Sequence, residues 1–137
     1  MSRIVPELLH AEVTEAVIAA AVEVHRSLGP GLLESAPGLL ESAYEACLCH
    51  ELSLRSVAFQ HRLAVPIRYK GVRLESGYRV DLLVADAVVV ELKSVEHVAP
   101  IHEAQLLTYL KLTGYRVGLL TNFNTPLLKD GVTRRVV

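Results

Sequence analysis

The apolar run Val88-Val89-Val90 constrains the fold more than any other part of the sequence. Consecutive β-branched residues without polar alternation are typical of a strand covered on both faces, which lies inside a sheet. Two charged residues, Glu91 and Lys93, follow in the same strand, and side chains two apart on a strand point to the same face. A buried position rarely holds charges unless they are paired or bind a metal, so this strand also carries a candidate site.

The spacing of apolar residues predicts one α/β domain over residues 1–137. Helical periodicity predicts helices over residues 11–28, 37–56 and 100–112. After Phe59 the period changes to alternation, which predicts a strand that ends at the turn Lys70-Gly71. The further predicted strands cover residues 72–76, 78–84, 88–94 and 116–121, with an edge element in the tail 127–137.

Composition limits the class of protein and the compartment. Half of the residues, 51%, are hydrophobic, yet no uninterrupted apolar run reaches the roughly 20 residues that a membrane-spanning helix needs. The first residues lack the pattern of a signal peptide, so we expect no membrane association and a cytosolic location. The net charge is −1, although residues 57–137 hold eleven basic and seven acidic side chains. This surplus favours phosphate contacts in the second half or is ordinary surface charge.

Asp81 lies on the preceding predicted strand, and a hairpin would bring it beside Glu91 and Lys93. Two carboxylates suit Mg²⁺, which prefers oxygen ligands and keeps several waters. A lysine beside the ion could orient or deprotonate the attacking water. The alternative is a solvated Glu–Lys pair near an aspartate on an exposed sheet face.

The spacing of Asp81, Glu91 and Lys93 resembles the motif of the PD-(D/E)XK nuclease superfamily. More closely, the chain resembles the GxxExxY protein family of that superfamily, whose motif stands here as Gly38, Glu41 and Tyr44. The resemblance implies a restriction-endonuclease-like core, in which helices flank a central mixed β-sheet. It also implies Mg²⁺ or Mn²⁺ as the cofactor.

The resemblance assigns roles to further residues. It implies that Glu41 adds a carboxylate to the metal ligands Asp81 and Glu91, and that Tyr44, three residues later, contacts substrate. Gln105 and Tyr109 are similar to the QxxxY element of RecB-like nucleases and are expected, with Lys93, to serve the catalytic site. Arg79 would share the strand face of Asp81, where it meets a phosphate or pairs with a carboxylate.

A tandem duplication interrupts the family pattern, because PGLLESA occurs at residues 30–36 and again at 37–43. Proline is tolerated in the first turn of a helix but not in its interior, so we expect the helix to begin near Pro37. The second copy then belongs to the helix, and the first copy is an added segment. Its apolar residues Leu32 and Leu33 have no counterpart in the family pattern. Helix phase predicts that Leu39, Leu40 and Ala43 face the core, with Glu41 and Tyr44 directed toward Asp81 and Glu91.

Two functions remain open from the sequence. The first is a metal-dependent phosphodiesterase that hydrolyses DNA or RNA. The second is a nuclease fold used as a binding or assembly module with little or no catalysis, which the low basicity of the chain favours. In either case a small domain of this charge is expected to form a homo-oligomer, or to need a partner protein, in order to bind nucleic acid.

Overall fold

The elements are described by a computed structural model, which covers residues 8–30 and 37–137 apart from the side chains of residues 37–40 and Ser76. Within these residues three helices and five strands follow one another, with a short 3₁₀ turn before the last strand. Their bounds are α1 Ala11–Leu28, α2 Pro37–Leu54, β1 Phe59–Tyr69, β2 Val72–Val84, β3 Val88–Lys93, α3 Pro100–Thr113, β4 Val117–Asn122 and β5 Val132–Val136.

The strands form one sheet in the order β1-β2-β3-β4-β5. Only the β3–β4 pair is parallel, and α3 makes the crossover between these two strands. The other neighbours pair antiparallel, so the sheet is mixed and flanked by helices, as predicted. The run Val88–Val90 lies on the central strand and is fully buried.

Hydrophobic cores lie on both faces of the sheet. One core packs α1 and α2 against the sheet, and the other packs α3 against it. Gly118 on β4 allows the close approach of α3, because a Cβ at that position would lie 2.7 Å from the Leu106 side chain. Within the described ranges, no helix is both long and apolar enough to cross a membrane.

The β1–β2 hairpin departs from the predicted pattern. Instead of two short strands, β2 runs without a break from Val72 to Val84. It carries an irregularity in which three of its residues, 76–78, stand opposite Val65 alone on β1. The turn at Lys70-Gly71 forms as predicted, with both residues in the left-handed region. The hairpin is therefore one long arm of the sheet, and β2 pairs with β3 only over residues 82–84.

The duplicated heptad is described only in its second copy. Helix α2 begins at Pro37, as predicted, whereas residues 31–36, including Leu32 and Leu33, lie outside the described residues. The side chains of Leu39 and Leu40 also lie outside them. The prediction for Ala43 is wrong, because Ala43 is exposed. The buried stripe of α2 instead passes through every fourth residue from position 44, at Tyr44, Leu48 and Leu52.

Candidate functional site

The candidate site lies where β2 separates from β3. Ladder pairing between the two strands ends at Leu82 and Val90. Beyond that point the Asp81 N–H donates to Glu91 Oε1 at 2.9 Å, and the Leu92 N–H donates to Asp81 Oδ2 at 2.8 Å. Carboxylates thus take the place of the missing ladder bonds. The site lies between neighbouring strands within the sheet, because β1 and β5 are the edge strands.

A backbone kink in β1 accompanies this separation. Arg62 has a φ of 55°, in the left-handed region that a non-glycine residue rarely adopts, and it lies across from Asp81. The guanidinium of Arg79 donates to the Arg62 carbonyl at 3.2 Å. Both arginine side chains are exposed, so two positive charges stand beside the site on the hairpin.

Burial raises the pKa values of the two carboxyl groups, and nearby carboxylates raise them further. The pKa of Glu91, which is 8% exposed, rises to about 8, first through burial and then through the charge of Asp81. Burial raises the pKa of Asp81 to about 6, although the hydrogen bond from the Leu92 N–H lowers it. The charge of Lys93 lowers both pKa values and therefore acts on both carboxyl groups. Without a cation this pair retains a proton near neutral pH.

Helix α2 brings further acidic side chains to the same place. Glu41 Oε1 accepts from the Ser94 N–H at 3.4 Å, so Glu41 lies at the end of β3. Glu45 follows one helical turn later, and its Oε2 lies 3.6 Å from the Arg62 guanidinium. Together with Asp81 these residues line a pocket of about 150 Å³, the carboxylate pocket. Sequence reasoning missed Glu45, although its spacing of four from Glu41 places both on one helix face.

The donor set suits a hard divalent cation. Glu45 Oε1 is buried without a hydrogen-bond partner among the described residues, and the charges of Glu41 and Glu45 raise the pKa of Asp81. Within residues 8–30 and 37–137, no group of three or more Asp, Glu, His or Cys side chains is arranged around a common ion position. Mg²⁺ takes only one or two carboxylates and fills its other positions with water, and Asp81 and Glu91 are the two carboxylates that could hold it.

Tyr44 does not belong to the site, and its prediction as a substrate contact is wrong. The side chain is 1% exposed and stacks on Phe123 with ring centroids 4.4 Å apart. Its hydroxyl donates to the carbonyl of Gly29, at the end of α1. The two residues of the motif diverge because three helical positions leave an angle of about 60°. Because of this angle, the Glu41 side chain lies at the pocket while the Tyr44 side chain lies in the core.

Tyr44→Phe is expected to lower the free energy of unfolding by about 1–2 kcal/mol, because the Gly29 carbonyl loses a buried donor. Urea denaturation would measure the loss, with Tyr69→Phe on the exposed hairpin as the matched control. Divalent-metal affinity should stay unchanged. If the variant kept the stability of the wild type but bound the metal more weakly, Tyr44 would belong to the site after all.

Gln105 and Tyr109 on α3 differ in burial, although both line one groove. Tyr109 is 9% exposed, and its pKa is raised by burial and then by the charge of Glu91, with smaller effects of Tyr78 and Asp81. The Tyr109 hydroxyl therefore lies within the field of the carboxylate pair. Gln105 is exposed and is not among the residues that line the carboxylate pocket. It lines a neighbouring groove, the tyrosine groove, whose walls include Ile67, Tyr78, Ile101, Gln105, Thr108 and Tyr109.

Comparison with known proteins identifies the family of the chain. A family model described as PD-(D/E)XK nuclease superfamily matches residues 11–136, which is nearly the whole chain. No curated protein and no solved structure matches the chain with significance. The matched range contains every strand and helix described above, including the strand that carries Glu91 and Lys93. The chain therefore belongs to the PD-(D/E)XK nuclease superfamily.

Proposed function

We propose that the protein is a metal-dependent phosphodiesterase that hydrolyses DNA or RNA. The observation that carries this proposal is the Asp81–Glu91 pair, which replaces the ladder between β2 and β3 within the field of Lys93. We also propose membership of the GxxExxY family, which the positions of Gly38, Glu41 and Tyr44 support. A cytosolic location remains part of the proposal.

Asp81 and Glu91 would hold Mg²⁺ or Mn²⁺, and Glu41 would add a ligand directly or through water. When bound, the cation lowers the pKa of a coordinated water and neutralises charge on the phosphodiester. Lys93 is half-buried beside the carboxylates, where it would orient that water for attack. The exposed guanidinium groups of Arg62 and Arg79 would meet substrate phosphates.

Tyr109 and Gln105 complete the proposed catalytic surroundings. Tyr109 is buried within the field of the carboxylate pair and would shield it from bulk water. The exposed Gln105 would contact substrate beside the site rather than the metal. Their spacing of four on α3 presents them on one helix face.

A nuclease-fold binding or assembly module is the second candidate function. The net charge of −1 favours it, because non-specific affinity for nucleic acid comes mainly from neutralised phosphates. The exposed apolar residues Tyr69, Val72 and Leu74 at the tip of the hairpin also offer a surface to a second copy or a partner protein. A module of this kind would bind without cleaving.

A cleavage assay separates the two functions. Single-stranded DNA, duplex DNA and single-stranded RNA are incubated with the protein in Mg²⁺, in Mn²⁺ and in EDTA. Cleavage is expected with either metal, and none is expected in EDTA. Asp81→Asn should be inactive, while Glu15→Gln, an exposed carboxylate change on α1, should match the wild type. Binding without cleavage would favour the module, and equal cleavage by Asp81→Asn would refute the proposed site.

A further inference from the structure

We infer that the tyrosine groove binds an unstacked nucleobase next to the cleaved phosphate, so that the substrate is single-stranded nucleic acid. The inference rests on the proposed function and names the substrate class for the same site. It begins from the position of the groove between α3 and the β1–β2 hairpin. Tyr109 connects the groove to the carboxylate pair, because it packs in the same core as Val89, which lies two residues before Glu91 on the same face of β3.

The groove has the chemistry of a base-binding surface. Tyr78 and Tyr109 have ring centroids 6.4 Å apart with planes tilted by 49°, so they form a corner. Tyr78 is 57% exposed, which gives an incoming ring access to its side chain. The apolar side chains of Ile67 and Ile101 border this corner, and the amide of Gln105 offers hydrogen bonds to a base edge. Aromatic side chains of this kind stack on any base.

Charge complementarity favours nucleic acid over an apolar peptide as the occupant. Val89 packs in the same core as Tyr109, and Glu91 and Lys93 follow it at alternate positions of β3, so their side chains lie on the groove's face of the sheet. A base on Tyr78 would therefore bring its own phosphate toward Lys93 and toward the cation that Asp81 and Glu91 would hold. Bases in a duplex are stacked and paired, so only an unpaired strand reaches this corner without the free-energy cost of unstacking.

The test measures binding apart from cleavage. Lys93→Ala serves as the background, so that chemistry is blocked while Mg²⁺ is present. Fluorescence anisotropy is recorded with a labelled single-stranded DNA, an RNA of the same sequence and a duplex of that DNA. Single strands should bind more tightly than the duplex. Adding Tyr78→Ala should weaken single-strand binding about tenfold and leave duplex binding nearly unchanged.

Matched variants decide whether the groove is responsible. Tyr78→Phe should bind like the background, because it keeps the stacking ring. Tyr69→Ala, which removes an exposed tyrosine of the same hairpin outside the groove, should have a smaller effect than Tyr78→Ala. Melting temperatures of all variants would show that the fold is kept.

Several outcomes would overturn the inference. Unchanged single-strand affinity in Tyr78→Ala, equal effects of Tyr69→Ala, or tighter binding of the duplex would each do so. If sedimentation shows a dimer that Tyr78→Ala dissociates, the groove binds a second copy instead. Wild-type cleavage together with any of these results would leave the proposed function intact. The absence of both cleavage and binding would remove both proposals.

Discussion

Lys93→Ala is expected to lower the rate of metal-dependent cleavage by about a thousandfold, because general acid–base assistance contributes about 10²–10⁴ to such rates. Lys93 is the only proposed participant that acts on water without binding the ion. Its removal should therefore leave the Kd for Mn²⁺ within about threefold of the wild-type value. Single-turnover cleavage and calorimetric metal titration on the same preparation would measure the two effects.

Lys111→Ala provides the control, since Lys111 is an exposed lysine on α3 and does not line the carboxylate pocket. It should retain wild-type cleavage and metal affinity. If Lys93→Ala loses metal affinity as strongly as Asp81→Asn does, then Lys93 organises the ligands and its assignment to the water is wrong.

Glu91→Gln is expected to abolish cleavage and, in the absence of metal, to make the protein more stable at pH 8. In the folded state burial and the charge of Asp81 raise the pKa of Glu91 from 4.5 to about 8. The stability gained by a protonated Glu91 is present below pH 4.5 and is lost as the pH rises to 8. The substituted glutamine stays neutral and its side-chain oxygen can still accept from the Asp81 N–H, so the variant should gain about 1–3 kcal/mol at pH 8.

Chemical denaturation in EDTA at several pH values tests the sign of this effect. The wild type should lose stability between about pH 5 and pH 8, while Glu91→Gln should lose less, and the two curves should approach each other near about pH 4.5. Glu103→Gln is a suitable comparison, because Glu103 forms a half-exposed ion pair with Arg135. A variant less stable than the wild type at pH 8 would contradict the account of the pair as a repulsive, buried cluster.

The sequence predicts the elements of this fold closely because they follow from side-chain periodicity. The alternation from Phe59 onward, the apolar run at Val88 and the prolines at positions 37 and 100 place strands and helices within a few residues of their bounds. The pairing of Asp81 with Glu91 is also predictable, since a tight turn at residues 85–87 joins their strands. These features depend on local patterns that a single sequence displays.

Other features depend on tertiary packing. No residue preference marks Arg62 for a left-handed conformation, so the kink that opens the site is invisible in the sequence. Tyr44 shares a motif with Glu41, yet the neighbouring Phe123, distant in sequence, directs it into the core. The long β2 arm also departs from the prediction, because Gly77 is typical of a strand end and instead lies within an irregular stretch of one strand.

A calorimetric titration with Mn²⁺ at pH 7 tests most directly whether Asp81 and Glu91 form a metal site. Wild-type protein should bind Mn²⁺ saturably and release protons, which repeated titrations in buffers of different ionisation enthalpy would reveal, because the ion displaces the proton held by the pair. Asp81→Asn should bind at least about tenfold more weakly. Glu15→Gln should bind like the wild type. Equal affinity in wild type and Asp81→Asn, or binding without proton release, would contradict the account.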